Sequence, residues 1–307
     1  MKGTQMAATL GPIGVIGLGN MGSAMAANLV KAGFDVVGTD LVAESRAALI
    51  EAGGRAAVDA REVGTSCRHI ILSLPSDGAL QTVCADLAAS CAEGTIVLET
   101  STLPAAGKLQ AQRLLADHGV VLLDAPLSGT GAQARNADLV VFVSGDAEAI
   151  REVVPVLAGF SRAHYDLGEF GNGMKMKLVA NHLVAIHNVA AAEAILLAVR
   201  SGLDPATIVE IIGGGAGGSR MLQVRGPAMV ARTWGEATIT NRVFQKDLKL
   251  IGEALVGAGS PAPLFSATLP LYTAAMAAGH AEHDPASVYE VLERMAQIPG
   301  EGVDGSA

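Results

Sequence analysis

Apolar residues come in short, nearly unbroken runs through the first half of the chain: Ile13–Ile16, Asp35–Thr39, His69–Leu74, Thr95–Glu99, Val120–Asp124 and Leu139–Ser144. Apolar residues on successive rather than alternate positions predict strands covered on both faces. Stretches of helical composition lie between them, such as Met21–Lys31, Ala79–Ala89 and Pro104–His118. Strand alternating with helix predicts a doubly wound parallel sheet. Another short strand is expected near His164–Leu167. From about residue 171 the pattern changes. Met174–Arg200 is long, Ala-rich and almost free of charge after Lys177. A helix apolar all round is buried, here between domains or at a subunit contact. Gly202 suits its C-terminal stop, and Asp204-Pro205 suits the next N-cap and first turn. Further helices are predicted over Pro205–Ile212, Ser219–Val230, Val243–Gly257, Pro263–Ala278 and Pro285–Ala296, so the second half reads as all-α. The expected domains are a flexible extension over 1–12, a sheet domain over 13–170, a helical domain over 171–298 and a disordered tail over 299–307.

At the join of the first strand and helix stands Gly17-Leu-Gly-Asn-Met-Gly22. A tight turn at Gly17 lets the chain leave the strand, and the bare Cα of Gly19 lets a pyrophosphate approach the backbone. Gly22 allows close packing of the helix on the sheet. Free N–H groups at the helix N-terminus suit an anion. Leu18, Asn20 and Met21 share that turn and are candidate cofactor contacts with the three glycines. The second strand ends in Asp40, whose carboxylate can accept from an adenosine ribose. This context predicts a Rossmann-type dinucleotide site; the alternative is a glycine turn of purely structural use.

The chain has 307 residues, enough for two domains; half are apolar and 17% are charged. A net charge of −9 with 3% aromatics argues against nucleic acid. An acidic protein must hold an anionic ligand through local N–H groups and a few placed lysines. Three cysteines, Cys67, Cys84 and Cys91, form no CxxC pair, which argues against a disulfide framework or zinc site and for a reduced, cytoplasmic setting. Met1–Pro12 lacks the order of a signal peptide. No membrane span is expected, because the longest apolar region, within Leu178–Val199, is interrupted by Asn181, His182, His187, Asn188 and Glu193.

Open α/β sheets bind ligands beyond the carboxyl ends of their strands. Three loops leave such ends. Leu74 and Pro75 lie in one, on the adenosine side. Thr100-Ser-Thr102 supplies hydroxyls near the middle. Asp124-Ala-Pro-Leu-Ser-Gly-Thr-Gly131 offers Ser128, Gly129 and Thr130 as hydroxyl and N–H donors to a carboxylate; an ordinary Gly-rich turn is its alternative. Lys177 and Asn181, four apart, share a helix face. An ammonium and an amide there form a candidate proton-transfer pair, with partial burial lowering the lysine pKa. Read alone, Lys177 fits a snorkelling surface lysine better, and Lys246-Asp247 better fits a solvated charge pair. The histidines show no metal-ligand spacing. Gly213–Gly218 reads as a flexible helix connection, with a weaker case for a loop closing on substrate.

Four blocks together carry a family resemblance: Gly17-Leu-Gly-Asn-Met-Gly-Ser-Ala-Met-Ala-Ala-Asn-Leu29, Asp124-Ala-Pro-Leu-Ser-Gly129, Gly171-x-Gly-x-x-x-Lys177-x-x-x-Asn181 and Lys246-Asp-Leu248. Over roughly Ile13–Met295 the chain resembles the β-hydroxyacid dehydrogenases, the group of 3-hydroxyisobutyrate dehydrogenase and tartronate semialdehyde reductase. The resemblance implies Lys177 as catalytic acid/base, Ser128-Gly129 as carboxylate holder and Asn181 as substrate orienter. It further implies Lys246 in the cofactor and substrate pocket and Thr102 near the nicotinamide. Thr130 stands where the pattern usually has glycine, which adds bulk beside the carboxylate site. The implied enzyme moves a hydride between a small carboxylate substrate and NAD, with NADP disfavoured by Asp40; the long, nearly uncharged stretch Met174–Arg200 and the high apolar fraction predict a homodimer or homotetramer. Imine or semialdehyde reduction on the same architecture is a rival, although imine reductases typically lack the lysine. A non-catalytic dinucleotide sensor is a rival of another class.

Overall fold

A computed structural model describes residues 10–296 apart from 236 and 238. Residues 1–9 of the expected extension, residues 297 and 298 at the end of the expected helical domain, and the whole of the expected tail over 299–307 lie outside the described residues. The chain divides into two units, one ending at Lys177 and the next starting at Leu178.

The first unit opens with β1 (Ile13–Ile16), α1 (Asn20–Lys31), β2 (Val36–Thr39), α2 (Ala43–Glu51), β3 (Arg55–Ala56), α3 (Ala60–Ser66), β4 (His69–Leu72), α4 (Asp77–Ala88), β5 (Ile96–Glu99), α5 (Ala105–Ala116) and β6 (Val121–Asp124). These strands form one parallel sheet in the order β3-β2-β1-β4-β5-β6. Ile13, Val15, Ile70, Ile71, Val97, Leu98 and Leu123 are fully buried, as expected for strands covered on both faces. Strand order reverses on either side of β1, which opens a crevice at the carboxyl ends of β1 and β4. The short edge strand β3 had no signal in the hydrophobic pattern.

The run at Leu139–Ser144 departs from expectation. It does not join the parallel sheet. As β8 (Leu139–Val143) it sits in a separate three-stranded sheet between β7 (Leu127–Ser128), antiparallel to it, and β9 (Ser161–Asp166), parallel to it. The link from β6 to β8 holds only a five-residue helix, α6 (Gly131–Arg135). A parallel crossover needs a longer helix to span the strand, so the chain turns back instead. The helix α7 (Ala147–Phe160) then leads into β9.

Helix α8 (Asn172–Arg200) runs unbroken from the end of the first unit into the second. With 29 residues and an 18-residue stretch of mean hydropathy 1.7, it is long and apolar enough to cross a membrane by length and composition. That corrects the expectation that its polar residues interrupt it. Two of those residues serve the helical unit: Asn181 donates to Asp247 (2.8 Å), and Asn188 donates to Tyr272 (3.1 Å) and the Pro285 carbonyl (2.9 Å). The unit continues with α9 (Pro205–Gly213), α10 (Arg220–Ala231), α11 (Asn241–Ala258), α12 (Pro263–Ala277), a 3₁₀ turn (Pro285–Ser287) and α13 (Val288–Met295). Side chains of Asp204, Ser219 and Thr240 cap α9, α10 and α11. Ala192, Ile195, Met229, Phe244, Phe265 and Tyr272 form its core.

Burial pushes the thiols of Cys67 and Cys84 up to about 12 and that of Cys91 to about 11. All three are free and poorly reactive.

Candidate active site

The Gly-rich turn has the backbone its sequence demands. Gly17 lies at φ +90°, donates its N–H to the Thr39 carbonyl (3.0 Å), and would bring a Cβ within 2.2 Å of the Ser73 carbonyl oxygen. A Cβ on Gly22 would lie 1.9 Å from the Gly17 carbonyl oxygen. Gly22 therefore makes room first for the turn itself, and only secondarily for the helix against the sheet. A Cβ on Gly19 would enter open space. Gly19 is also the N-cap of α1, and no side chain caps the helix there. First-turn N–H groups without a side-chain acceptor, beside open space, fit a pyrophosphate.

Asp40 is fastened to that turn. Its Oδ2 accepts from the Leu18 N–H (2.6 Å) and its Oδ1 from the Val42 N–H (2.8 Å). The Arg46 guanidinium donates to the Asp40 main-chain carbonyl oxygen.

The loops after β4 and β5 are tied to each other. The Leu74 N–H donates to the Ser101 hydroxyl (2.8 Å), the Ser101 N–H to Glu99 Oε1 (2.9 Å), and the Thr100 hydroxyl to the Leu72 carbonyl (2.6 Å). Ser101 and Thr100 thus serve the loops themselves. Thr102 is half-buried and Pro75 exposed.

Ser128 is half-buried in β7. Gly129 lies at φ +145°, and a Cβ there would meet Leu139 Cδ2 at 2.7 Å. Thr130 forms a capping box with Gln133: its N–H donates to Gln133 Oε1 (3.0 Å) and its hydroxyl accepts the Gln133 N–H (3.3 Å). Of the donors expected in this loop, the Thr130 N–H is therefore already engaged. Asn28 donates to the Ala134 carbonyl (2.6 Å), joining α1 to α6, and a Cβ on Gly131 would lie 3.9 Å from Asn20 Nδ2. The candidate carboxylate loop thus lies against the first turn of α1.

Lys177 is half-buried, one turn after the start of α8, and Asn181 follows one turn later. Asn181 is buried, and its amide nitrogen donates to Asp247 Oδ2. Asp247 is itself 4% exposed, not half of a solvated pair. Its other oxygen lies 4.0 Å from the Lys246 ammonium, which is 39% exposed.

Sequence reasoning passed over Lys108. Its Nζ lies 2.6 Å from Glu99 Oε2 and 2.7 Å from Asp124 Oδ1, and all three side chains are at most 1% exposed. Burial alone would lower its pKa, but the two carboxylates outweigh that and hold it above the ordinary lysine value. The available signal was a pair of apolar strands that both end in a carboxylate, with a lysine in the first turn of the helix between them.

Two family models match the chain: the NAD binding domain of 6-phosphogluconate dehydrogenase over residues 12–168, and the NAD-binding domain of NADP-dependent 3-hydroxyisobutyrate dehydrogenase over 171–292. The L-threonate dehydrogenase of Cupriavidus necator is 33% identical over 94% of this chain and 98% of its own length. The chain belongs to the β-hydroxyacid dehydrogenase family. It is a nicotinamide-dependent oxidoreductase acting on CH–OH groups. Another relative, the NAD-dependent L-serine dehydrogenase of Pseudomonas aeruginosa, is 33% identical over 92% of this dehydrogenase and 97% of its own length. Among solved structures, 3-hydroxyisobutyrate dehydrogenase from Salmonella typhimurium superposes with a TM-score of 0.83 at 28% identity, covering 91% of this chain and 99% of that one. Psf3 in complex with NADP+ and 2-OPP superposes with a TM-score of 0.81 at 25% identity, covering 91% and 99%.

Proposed function

We propose that this enzyme oxidises a small β-hydroxyacid with NAD, and that Lys177 is the acid/base. The observation that carries the reading is α8. Lys177 and Asn181 stand one turn apart on a helix whose start is fixed by Asp124, and the Asn181 amide is oriented by Asp247. L-threonate and L-serine, for which the two relatives are named, each join a carboxylate to a hydroxyl on the β-carbon, as does 3-hydroxyisobutyrate.

The bound nicotinamide supplies the hydride acceptor at C4. In oxidation the neutral Lys177 amine accepts the hydroxyl proton as the carbonyl forms; in reduction its ammonium returns it. The Ser128 hydroxyl and the Gly129 backbone hold the substrate carboxylate. Asn181 orients the reacting hydroxyl, and its bond to Asp247 fixes which way its amide faces. The positive charge of Lys246 favours the anionic substrate and cofactor. Thr102, Leu74, Pro75 and the Gly17–Gly22 turn, with Leu18, Asn20 and Met21, hold the cofactor.

The test is a spectrophotometric screen with NAD and NADP against 3-hydroxyisobutyrate, glycerate, threonate and serine. Turnover of one or more is expected. Cofactor binding without turnover of any would sink the reading in favour of a dinucleotide sensor. Once a substrate is in hand, Ser128→Ala is expected to raise its KM about tenfold with kcat within a few-fold, because a carboxylate anchor acts on ground and transition states alike. A KM unchanged in Ser128→Ala removes that residue from the anchor. The enzyme is further expected to form a dimer or tetramer, since α8 carries exposed Leu183 and Leu197 on a long apolar helix. A monomer by light scattering at micromolar concentration would refute this.

A further inference from the structure

We propose that Lys108 is a positioning residue, whose ammonium joins the two strand-end carboxylates Glu99 and Asp124 and thereby fixes the first turn of the helix that carries Lys177. The geometry divides into two arms. On one, Glu99 gives Oε2 to Lys108 and Oε1 to the Ser101 N–H, and the Ser101 hydroxyl takes the Leu74 N–H. On the other, Asp124 gives Oδ1 to Lys108 (2.7 Å) and Oδ2 to the Met174 N–H (2.7 Å). The Ser144 hydroxyl reinforces that second arm: it lies 3.4 Å from Asp124 Oδ2 and accepts the Gly173 N–H at 2.9 Å.

The contact is close by construction. A Cβ on Gly173 would lie 2.3 Å from the Phe142 carbonyl and 2.8 Å from the Asp124 carbonyl, so only glycine lets the helix start there. Met174 is one turn before Lys177. Asp124 also begins the strand-end loop that reaches Ser128 four residues on. One buried ammonium therefore sits where the loops proposed for the cofactor, the loop proposed for the carboxylate and the start of α8 converge. At 1% exposure or less, the three side chains are closed off from bulk solvent, which therefore does not screen the two carboxylates from each other. Without the ammonium, two buried carboxylates of like charge face each other, and the pair relieves this by taking up a proton or moving apart. Either response changes what Asp124 offers to Met174.

The test is amide hydrogen exchange on Lys108→Met, alongside steady-state kinetics. The full chain is used, with folding checked by circular dichroism and by NADH titration. Protection at residues 171–178 is expected to fall at least tenfold while residues 13–39 keep theirs. The kcat for the hydroxyacid is expected to drop about tenfold or more, with its KM nearly unchanged. The kcat arm rests on Lys177 being the acid/base and the exchange arm does not. A Lys177→Ala enzyme of normal kcat would therefore remove the first and leave the second standing. The double variant Lys108→Met/Glu99→Gln keeps a single buried carboxylate and avoids the like-charge pair, so it is measured beside the single one. It still lacks the ammonium on Asp124, and the same local loss is expected. Unchanged protection at 171–178 in a folded variant overturns the proposal, as does a loss spread evenly over the first unit, which would mark Lys108 as a general stabiliser.

Discussion

Lys177→Ala is expected to lower kcat by about 10²–10⁴-fold, the usual contribution of a positioned general acid/base. That corresponds to about 3–5 kcal/mol of transition-state stabilisation. NADH affinity should change little, because in the proposed mechanism Lys177 acts on the substrate hydroxyl and not on the dinucleotide. The pH profile carries the sharper signature. Oxidation needs the neutral amine, so the wild-type rate should rise with pH as Lys177 loses its proton, and the reverse reaction should fall. Both limbs should disappear in the variant. Rates of oxidation by wild type and Lys177→Ala, measured from pH 6 to 10 with saturating NAD, decide the matter. A variant with near-normal kcat would send the proton elsewhere and end the mechanism given above.

The second large effect is on cofactor choice. The wild type should prefer NAD to NADP, since a carboxylate at the end of β2 accepts from the ribose hydroxyls and repels a 2′-phosphate. In Asp40→Asn, loss of charge-assisted bonds to the ribose is expected to cut kcat/KM for NAD about ten- to a hundredfold. Use of NADP should rise, because Arg46 already stands at the Asp40 carbonyl and the repulsion is gone. Asparagine keeps one oxygen acceptor for the Leu18 or Val42 N–H, so the turn should survive. The measurement is kcat/KM with each cofactor for both proteins. Equal use of the two by the wild type would remove Asp40 as the discriminator.

Several parts of the site were legible because their cause is local. A left-handed Gly17, a Gly19 facing open space and an uncapped α1 all follow from which residues lack a side chain, and that is written in the sequence. The one-turn spacing of Lys177 and Asn181 follows from helix period alone. Other parts could not be read because they depend on partners far along the chain. The Lys246-Asp247 dipeptide reads as a surface pair until α11 packs so that Asp247 meets Asn181, 66 residues away. The Thr130 N–H reads as a substrate donor until Gln133 claims it, and the Thr130 hydroxyl, which accepts from the Gln133 N–H, keeps its own proton to donate. Leu139–Ser144 has the composition of a central parallel strand, and only the short link before it sends it to a second sheet.

By itself the sequence determined the alternation of strand and helix, the all-α second half and the position of the Gly-rich turn. Backbone sterics and hydrophobic period act over a few residues, and the side chains concerned are contiguous. Only the tertiary structure decided the strand order, the fate of β8 and the ionic centre at Lys108. There Lys108 draws Glu99 and Asp124, nine residues before it and 16 after it, into one buried contact. A lone lysine in a helix is ordinarily solvated, because removing its charge from water is costly unless opposite charge is waiting. Whether it is waiting depends on which strand ends lie side by side. In this enzyme β5 and β6 are neighbours, both end in carboxylates, and α5 crosses between them.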